Sequence, residues 1–275
     1  MEFNRETYRD YPAISMSYLK GILIGGSVAH AKAPIRVSQR TLDIGTYTHT
    51  AILEPDKWDP IVRDWDLRTK AGKEKQADAL QLGKPIVDQT EHDMISAMRA
   101  SVMSNPTFSE MLTAETREVE HCFLWREPVH EIICKSQIDL ITEESGRTWL
   151  VDLKTTPSLA GFQKTIFSLH YHMQMAGYAM AARQHGVKID YVGILAVEKQ
   201  EPFACQMFVL PESALHIGQL QIVEALQMHV EAEESGIETP PDFVDVDLPA
   251  WLFHKYKDVI EEDMDLDPND WSEIQ

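Results

Sequence analysis

Two aspartates and a lysine stand where charge is expensive. Asp139 lies in Ile138-Asp139-Leu140-Ile141, and thirteen residues later Asp152 and Lys154 lie in Leu150-Val151-Asp152-Leu153-Lys154. A charge inside an apolar strand costs free energy unless something pairs with it. Two carboxylates on adjacent strands would also repel each other, and a divalent cation between them turns that repulsion into binding. Side chains two apart on a strand share a face, so Asp152 and Lys154 point the same way, with the Leu153 carbonyl near by as an extra oxygen ligand. Lys154 can then stand beside an attacking water or a phosphate, helping the water lose a proton and offsetting developing negative charge. The chemistry this suggests is metal-assisted hydrolysis of a phosphodiester. On its own the pattern is short, and edge acids with a salt-bridging lysine would read the same.

The surroundings extend it. Thr155-Thr156 follows Lys154, and Gln174 and Tyr178 stand one turn apart on a helix face. Upstream, Glu120 opens a strand; Glu118 has the same parity. His49 closes Gly45-Thr46-Tyr47-Thr48-His49. The ordered set G-x-x-x-H, E, D, VDLKTT and QxxxY resembles the RecB-type branch of the PD-(D/E)XK nucleases. Within that branch the chain is most similar to the RecE (exonuclease VIII) family of nuclease domains. The similarity runs over roughly residues 8–210 through Ser15–Lys20, Gly45–Pro55, Glu120–Trp125, Cys134–Asp139, Val151–Thr156 and Tyr171–Tyr178.

The resemblance implies a restriction-endonuclease-like core and a 5′→3′ exonuclease that degrades one strand of duplex DNA from its ends, leaving 3′ overhangs. It implies Mg2+ (or Mn2+) as cofactor, a ring-shaped homo-oligomer (trimer or tetramer) and a RecT-type single-strand annealing partner in a phage, prophage or bacterial setting. It assigns metal ligation to His49, Glu120, Asp139, Asp152 and Leu153. Lys154 is the catalytic lysine, with Gln174 and Tyr178 contacting DNA or bracing the strands. Glu120 fits the family pattern better than Glu118, because His-Cys-Phe-Leu-Trp follows it.

The elements that must position these residues follow from periodicity. Ser15 is a helix cap before Met16-Ser17-Tyr18-Leu19, and Leu42 to Leu53 reads as a helix carrying Gly45 and His49. Residues 56–75 read as a polar loop leading into another helix, and Ile86 to Met103 has helical spacing. Val119 to Trp125, Glu131 to Thr142 and Trp149 to Leu153 read as three strands of an antiparallel meander. A helical stretch from Ser158 to about Gly186, strands at Tyr191–Val197 and Phe203–Leu210, and a helix over Glu212–Glu234 complete the pattern. This is an α/β (α+β) chain, a mixed sheet flanked by helices in one domain over 1–236. Residues 237–275 form an acidic, partly irregular tail.

Charge weighs against a general nucleic-acid binder: 25 Lys and Arg oppose 44 Asp and Glu, a net charge of −19. From Asp258 to Gln275 the chain carries eight acids and no basic residue, so much of the excess is local. That tail reads as a solvated extension, or as a docking segment for a basic partner. Arg63, Arg68, Lys70, Lys73 and Lys75 form a candidate backbone grip, and Lys135 could reach a phosphate. Three scattered cysteines form no CxxC pair, which speaks against the iron–sulfur cluster of a Cas4-like nuclease. No apolar run approaches the ~20 residues of a membrane helix, and a cytoplasmic location is expected. A PD-(D/E)XK endonuclease and a non-catalytic acidic DNA mimic are the rival readings.

Overall fold

Alternating apolar residues and apolar residues every third or fourth position sort this chain into strands and helices, and side-chain caps set where the first six helices begin. The computed structural model describes residues 2–33 and 37–243, with 246, 249, 251, 252, 254 and 255. A two-residue strand β1 (Ile14–Ser15) leads into α1 (Met16–Gly25), where Ser15 accepts the Tyr18 N–H at 3.2 Å. Then come α2 (Val28–Lys32), α3 (Gln39–Leu53), β2 (Ile61–Val62) and α4 (Lys70–Gln81). Helical spacing from Ile86 proves misleading: Ile86–Val87 is strand β3, paired in parallel with β2. Helix α5 (Gln89–Ser104) starts only where Asp88 and Glu91 close a capping box.

After α6 (Pro106–Thr113) the meander forms as β4 (Glu118–Arg126), β5 (Ile133–Glu144) and β6 (Arg147–Thr156). The single helix expected over 158–186 is two, α7 (Phe162–Ser168) and α8 (Tyr171–Gln184). His170 between them takes a left-handed conformation, φ 51°, which no helix accommodates. Strands β7 (Tyr191–Glu198) and β8 (Cys205–Val209) and helix α9 (Glu212–Ser235) complete the order.

Among the described residues, six strands make one mixed sheet. β4 and β6 flank β5 in antiparallel fashion, β7 joins β6 in parallel, and β8 closes antiparallel to β7. Unexpectedly, β1 pairs in parallel with β5 at Cys134 and Lys135, beyond the end of the β5–β6 pairing.

Helices cover both faces. Leu19, Ile22, Met173, Ala176 and Ile222 pack with Ile138, Leu150 and Ile194 on one. Ile52, Ile95, Met98 and Phe108 pack with Leu140, Val151, Leu153 and Leu195 on the other. Each fully buried Leu or Ile contributes about 1.5–3 kcal/mol. Helix α8 is buried on nearly every side, and two glycines let it be. A Cβ at Gly177 would meet Met16 Sδ at 2.2 Å, and one at Gly218 would meet the His172 carbonyl at 2.8 Å. Close approach of α1 and α9 to α8 therefore depends on these two positions.

The chain divides into a compact unit at Met1–Thr239 and a second at Pro240–Gln275. In the second, Trp251, Leu252, His254 and Lys255 are helical, and the Leu252 N–H donates to the Pro249 carbonyl at 2.8 Å. The eight acids from Asp258 onward lie outside the described residues. No helix among the described residues is long and apolar enough to cross a membrane. Cys134 is buried, while Cys122 and Cys205 are half-buried, and all three are free thiols.

Candidate active site

Strand pairing breaks where the chemistry sits. The β5–β6 ladder runs from Glu144 with Arg147 to Leu140 with Val151; one step further would pair Asp139 with Asp152. Regular pairing ends there, and the Leu153 N–H donates instead to Asp139 Oδ2 at 2.8 Å. The β4–β5 ladder likewise pairs Val119 with Leu140 and His121 with Ile138 but skips Glu120 and Asp139. Glu120 there has φ 54°, a left-handed conformation costing a non-glycine residue about 1–3 kcal/mol. Asp139 thus sits at an opening between three strands, with the Glu120 side chain of β4 and the Leu153 N–H of β6 turned toward it.

One side of this opening is acidic. His49 Nδ1, from α3, lies 3.5 Å from Asp139 Oδ2. One ligand atom each from His49, Glu120 and Asp139 falls within 4.8 Å of the others. Gln137 Nε2 steadies Glu120 Oε2 at 2.6 Å. Glu118, its alternative by parity, is exposed and paired with His121 at 2.6 Å. Burial and the charge of Asp139 raise the Glu120 pKa. Burial and the charge of Asp152 raise that of Asp139.

These groups line a cavity of about 460 Å3 with Arg5, Arg9, Gly45 and Thr46. A Cβ at Gly45 would meet nothing within 4 Å, so this turn of α3 leaves the cavity open above His49. Carboxylate oxygens with one imidazole, held together against their own repulsion, suit a hard divalent cation. His49, Glu120 and Asp139 would hold it.

The other side is cationic. Asp152 Oδ1 accepts from Gln174 Nε2 at 3.1 Å, and the same amide nitrogen lies 2.7 Å from the Tyr178 hydroxyl. Lys154 Nζ is 2.5 Å from Asp152 Oδ2. Among the described residues, no other group donates to that buried oxygen. Burial opposes the Lys154 charge, but Asp152 and Asp139 outweigh it and hold its pKa above the ordinary value. Burial likewise keeps the Tyr178 hydroxyl protonated far above pH 10. Leu153 contributes its N–H to Asp139; its side chain is buried in the core.

Sequence reasoning missed four residues here. Lys20, on α1, donates to Gln174 Oε1. It and Lys154 lie over the Tyr171 ring, 5.0 and 5.3 Å from its centroid. Burial and the like charge of Lys154 lower the Lys20 pKa to about 8. Arg5 and Arg9 reach the cavity from the leading segment, with Arg5 held in a two-point pair to Glu54 at 2.6 Å. A lysine beside the apolar stripe of α1 was the available signal, but nothing in the local sequence says that α1 faces the catalytic strands.

The expected DNA contacts fare differently. Lys135 is buried, and its ammonium donates to the carbonyls of Tyr8, Arg9 and Tyr11 at 2.7, 3.0 and 2.8 Å. Three carbonyls use up its three donors, so Lys135 anchors the leading segment and the expectation of a phosphate contact is corrected. Arg63 stands 3.6 Å from Asp88, Arg68 3.0 Å from Asp66, Lys70 3.9 Å from Glu74 and Lys75 3.9 Å from Asp64. Lys73 is exposed on the same helix. Residues 56–78 hold six acids beside six basic residues, so this stretch is locally neutral.

An Asp…Asp-x-Lys pair on neighbouring strands of a mixed sheet, with helices on both faces, defines a PD-(D/E)XK-like α/β domain. The chain belongs to the family described as a PDDEXK-like domain of unknown function (DUF3799), whose model matches residues 15–241. No curated protein matches the sequence. Among solved structures, a provisionally named exonuclease from Eubacterium rectale is similar over 93% of this chain and 98% of its own, at 14% identity and a TM-score of 0.59. An alkaline exonuclease from Laribacter hongkongensis matches 69% of this chain and 90% of its own, at 9% identity and a TM-score of 0.32. The first likeness shares the fold.

Proposed function

We propose that the protein is a metal-dependent DNA exonuclease that degrades one strand of duplex DNA from its 5′ end. The observation that carries this is the convergence at the strand opening: Asp139 faces Asp152-Leu153-Lys154, with His49 and Glu120 completing a donor set beside an open cavity. Family membership and an exonuclease-named structural neighbour support the nuclease class. Polarity, the 3′ overhang, a ring of three or four subunits and a RecT-type partner rest on the resemblance to RecE-family domains.

A bound Mg2+ or Mn2+ would supply Lewis-acid charge beside the phosphate and ease deprotonation of water. The chain's own groups do the rest. Asp139, Glu120 and His49 would hold the cation. Lys154 holds its proton firmly and presents positive charge where the phosphate gains negative charge. Gln174, tied to Tyr178, keeps the Asp152 carboxylate turned toward Lys154.

The test is digestion of linear duplex DNA labelled at either the 5′ or the 3′ end, in Mg2+ and in EDTA, beside a covalently closed circle. Early Mg2+-dependent release of the 5′ label with the circle intact is the expected result. Cutting of the circle would make it an endonuclease. No cleavage with Mg2+ or Mn2+ would overturn the reading in favour of a non-catalytic acidic binding module.

A further inference from the structure

The cationic side of the site holds one more charge than its acids account for. Lys154 has Asp152. Among the described residues, no carboxylate lies within ion-pair reach of Lys20, whose ammonium meets a neutral amide oxygen and the face of Tyr171. A desolvated ammonium beside neutral groups is costly, and a second ammonium near by adds to the cost. Only one of its three N–H donors is engaged by Gln174. Lys20 and Lys154 stand over one aromatic ring, and Gln174 links Lys20 to the same Asp152 that pairs with Lys154, so the two ammoniums share one end of the site.

Resting on the nuclease reading, we propose that Lys20 and Lys154 form a two-lysine phosphate clamp, with Lys20 holding a non-bridging oxygen of the phosphate being cleaved. Two carboxylate-rich strands would otherwise repel DNA at this point. A second ammonium balances the phosphate while Asp152 keeps Lys154 in place. The competing role for Lys20 is a strut that only fixes the Gln174 amide.

The test uses the full chain as Lys20→Met, Lys20→Arg and wild type, with Lys20→Gln as a second neutral variant should the first fold poorly. Binding of a short duplex is read in Ca2+ across a salt series, and turnover in Mg2+. The clamp predicts that Lys20→Met binds about tenfold more weakly, with a salt slope shallower by about 0.9, one phosphate contact. It also predicts a turnover about 100-fold slower, a loss typical of one transition-state donor. Lys20→Arg should restore the slope and at least about tenfold of the rate, because it keeps the charge. An unchanged salt slope in Lys20→Met overturns the clamp even if turnover falls, since a strut does not release counterions. A wild type that binds but cleaves with neither Mg2+ nor Mn2+ defeats the nuclease reading, while the slope still decides the clamp.

Discussion

Asp139 and Asp152 stand one residue beyond the end of the same ladder, yet their surroundings have opposite character. Around Asp139 the carboxylates crowd: burial and the Asp152 charge raise the pKa of Asp139, and burial and the Asp139 charge raise that of Glu120. Around Asp152 the ammoniums crowd, and burial with the like charge of Lys154 lowers the pKa of Lys20. Two like charges 4 Å apart repel by about 4 kcal/mol at an effective dielectric of 20, enough to matter in a fold stable by about 5–15 kcal/mol. Each half is therefore strained for want of the opposite charge. On the proposed function a cation would relieve one half and a phosphate the other, and the ladder break sets the two halves side by side. A second contrast lies between Arg63 and Lys75, where four of the five cations stand beside an acid and no comparable imbalance accumulates.

The largest effect that could break this comparison is on cleavage. Lys154→Ala or Asp152→Asn should lower kcat by at least about 1,000-fold in an end-labelled duplex assay; near-normal turnover would remove the site from the reaction. Next comes metal binding. Mn2+ at about 100 times its Kd should stabilise the wild type by about 2.7 kcal/mol, several degrees of Tm. Asp139→Asn should lose that rise while melting no lower than wild type in EDTA, because it removes a repelled charge.

A subtler comparison is of Lys20→Met with wild type across pH. Lys20 titrates at about 8 when folded against an ordinary 10.5, so its charge opposes folding below pH 8. Wild type should then gain stability relative to the variant as pH rises from 8 to 10.5, read as Tm difference against pH. The smallest effect is expected on α4. Replacing Lys70, Lys73 and Lys75 together with Ala should change turnover less than about twofold; a tenfold loss would show that this locally neutral stretch grips DNA.

Much of this was legible locally. Ser15 as a cap, Asp139 and Asp152 inside apolar strands, the shared face of Asp152 and Lys154, and the i,i+4 pair Gln174–Tyr178 all follow from periods of two and 3.6. These depend on a few neighbouring residues, and the structure shows Gln174 and Tyr178 in contact at 2.7 Å. Element breaks were harder, because Ile86–Val87 and Leu169–His170 carry no strong breaker; the capping box and the left-handed His170 ended those patterns.

What the sequence by itself determined is the set of strand carboxylates, the lysine beside them and the order of elements that carries them. Only the tertiary structure decided which side chains face them. Parity left Glu118 and Glu120 equal until a skipped pairing and a left-handed backbone turned Glu120 toward Asp139. Lys135 looked available until the leading segment folded over it. Lys20 reaches Gln174 across 154 positions of sequence, because Gly177 lets α1 settle against α8. Packing, which sums contacts from distant parts of the chain, fixes such meetings; local periodicity carries no information about them.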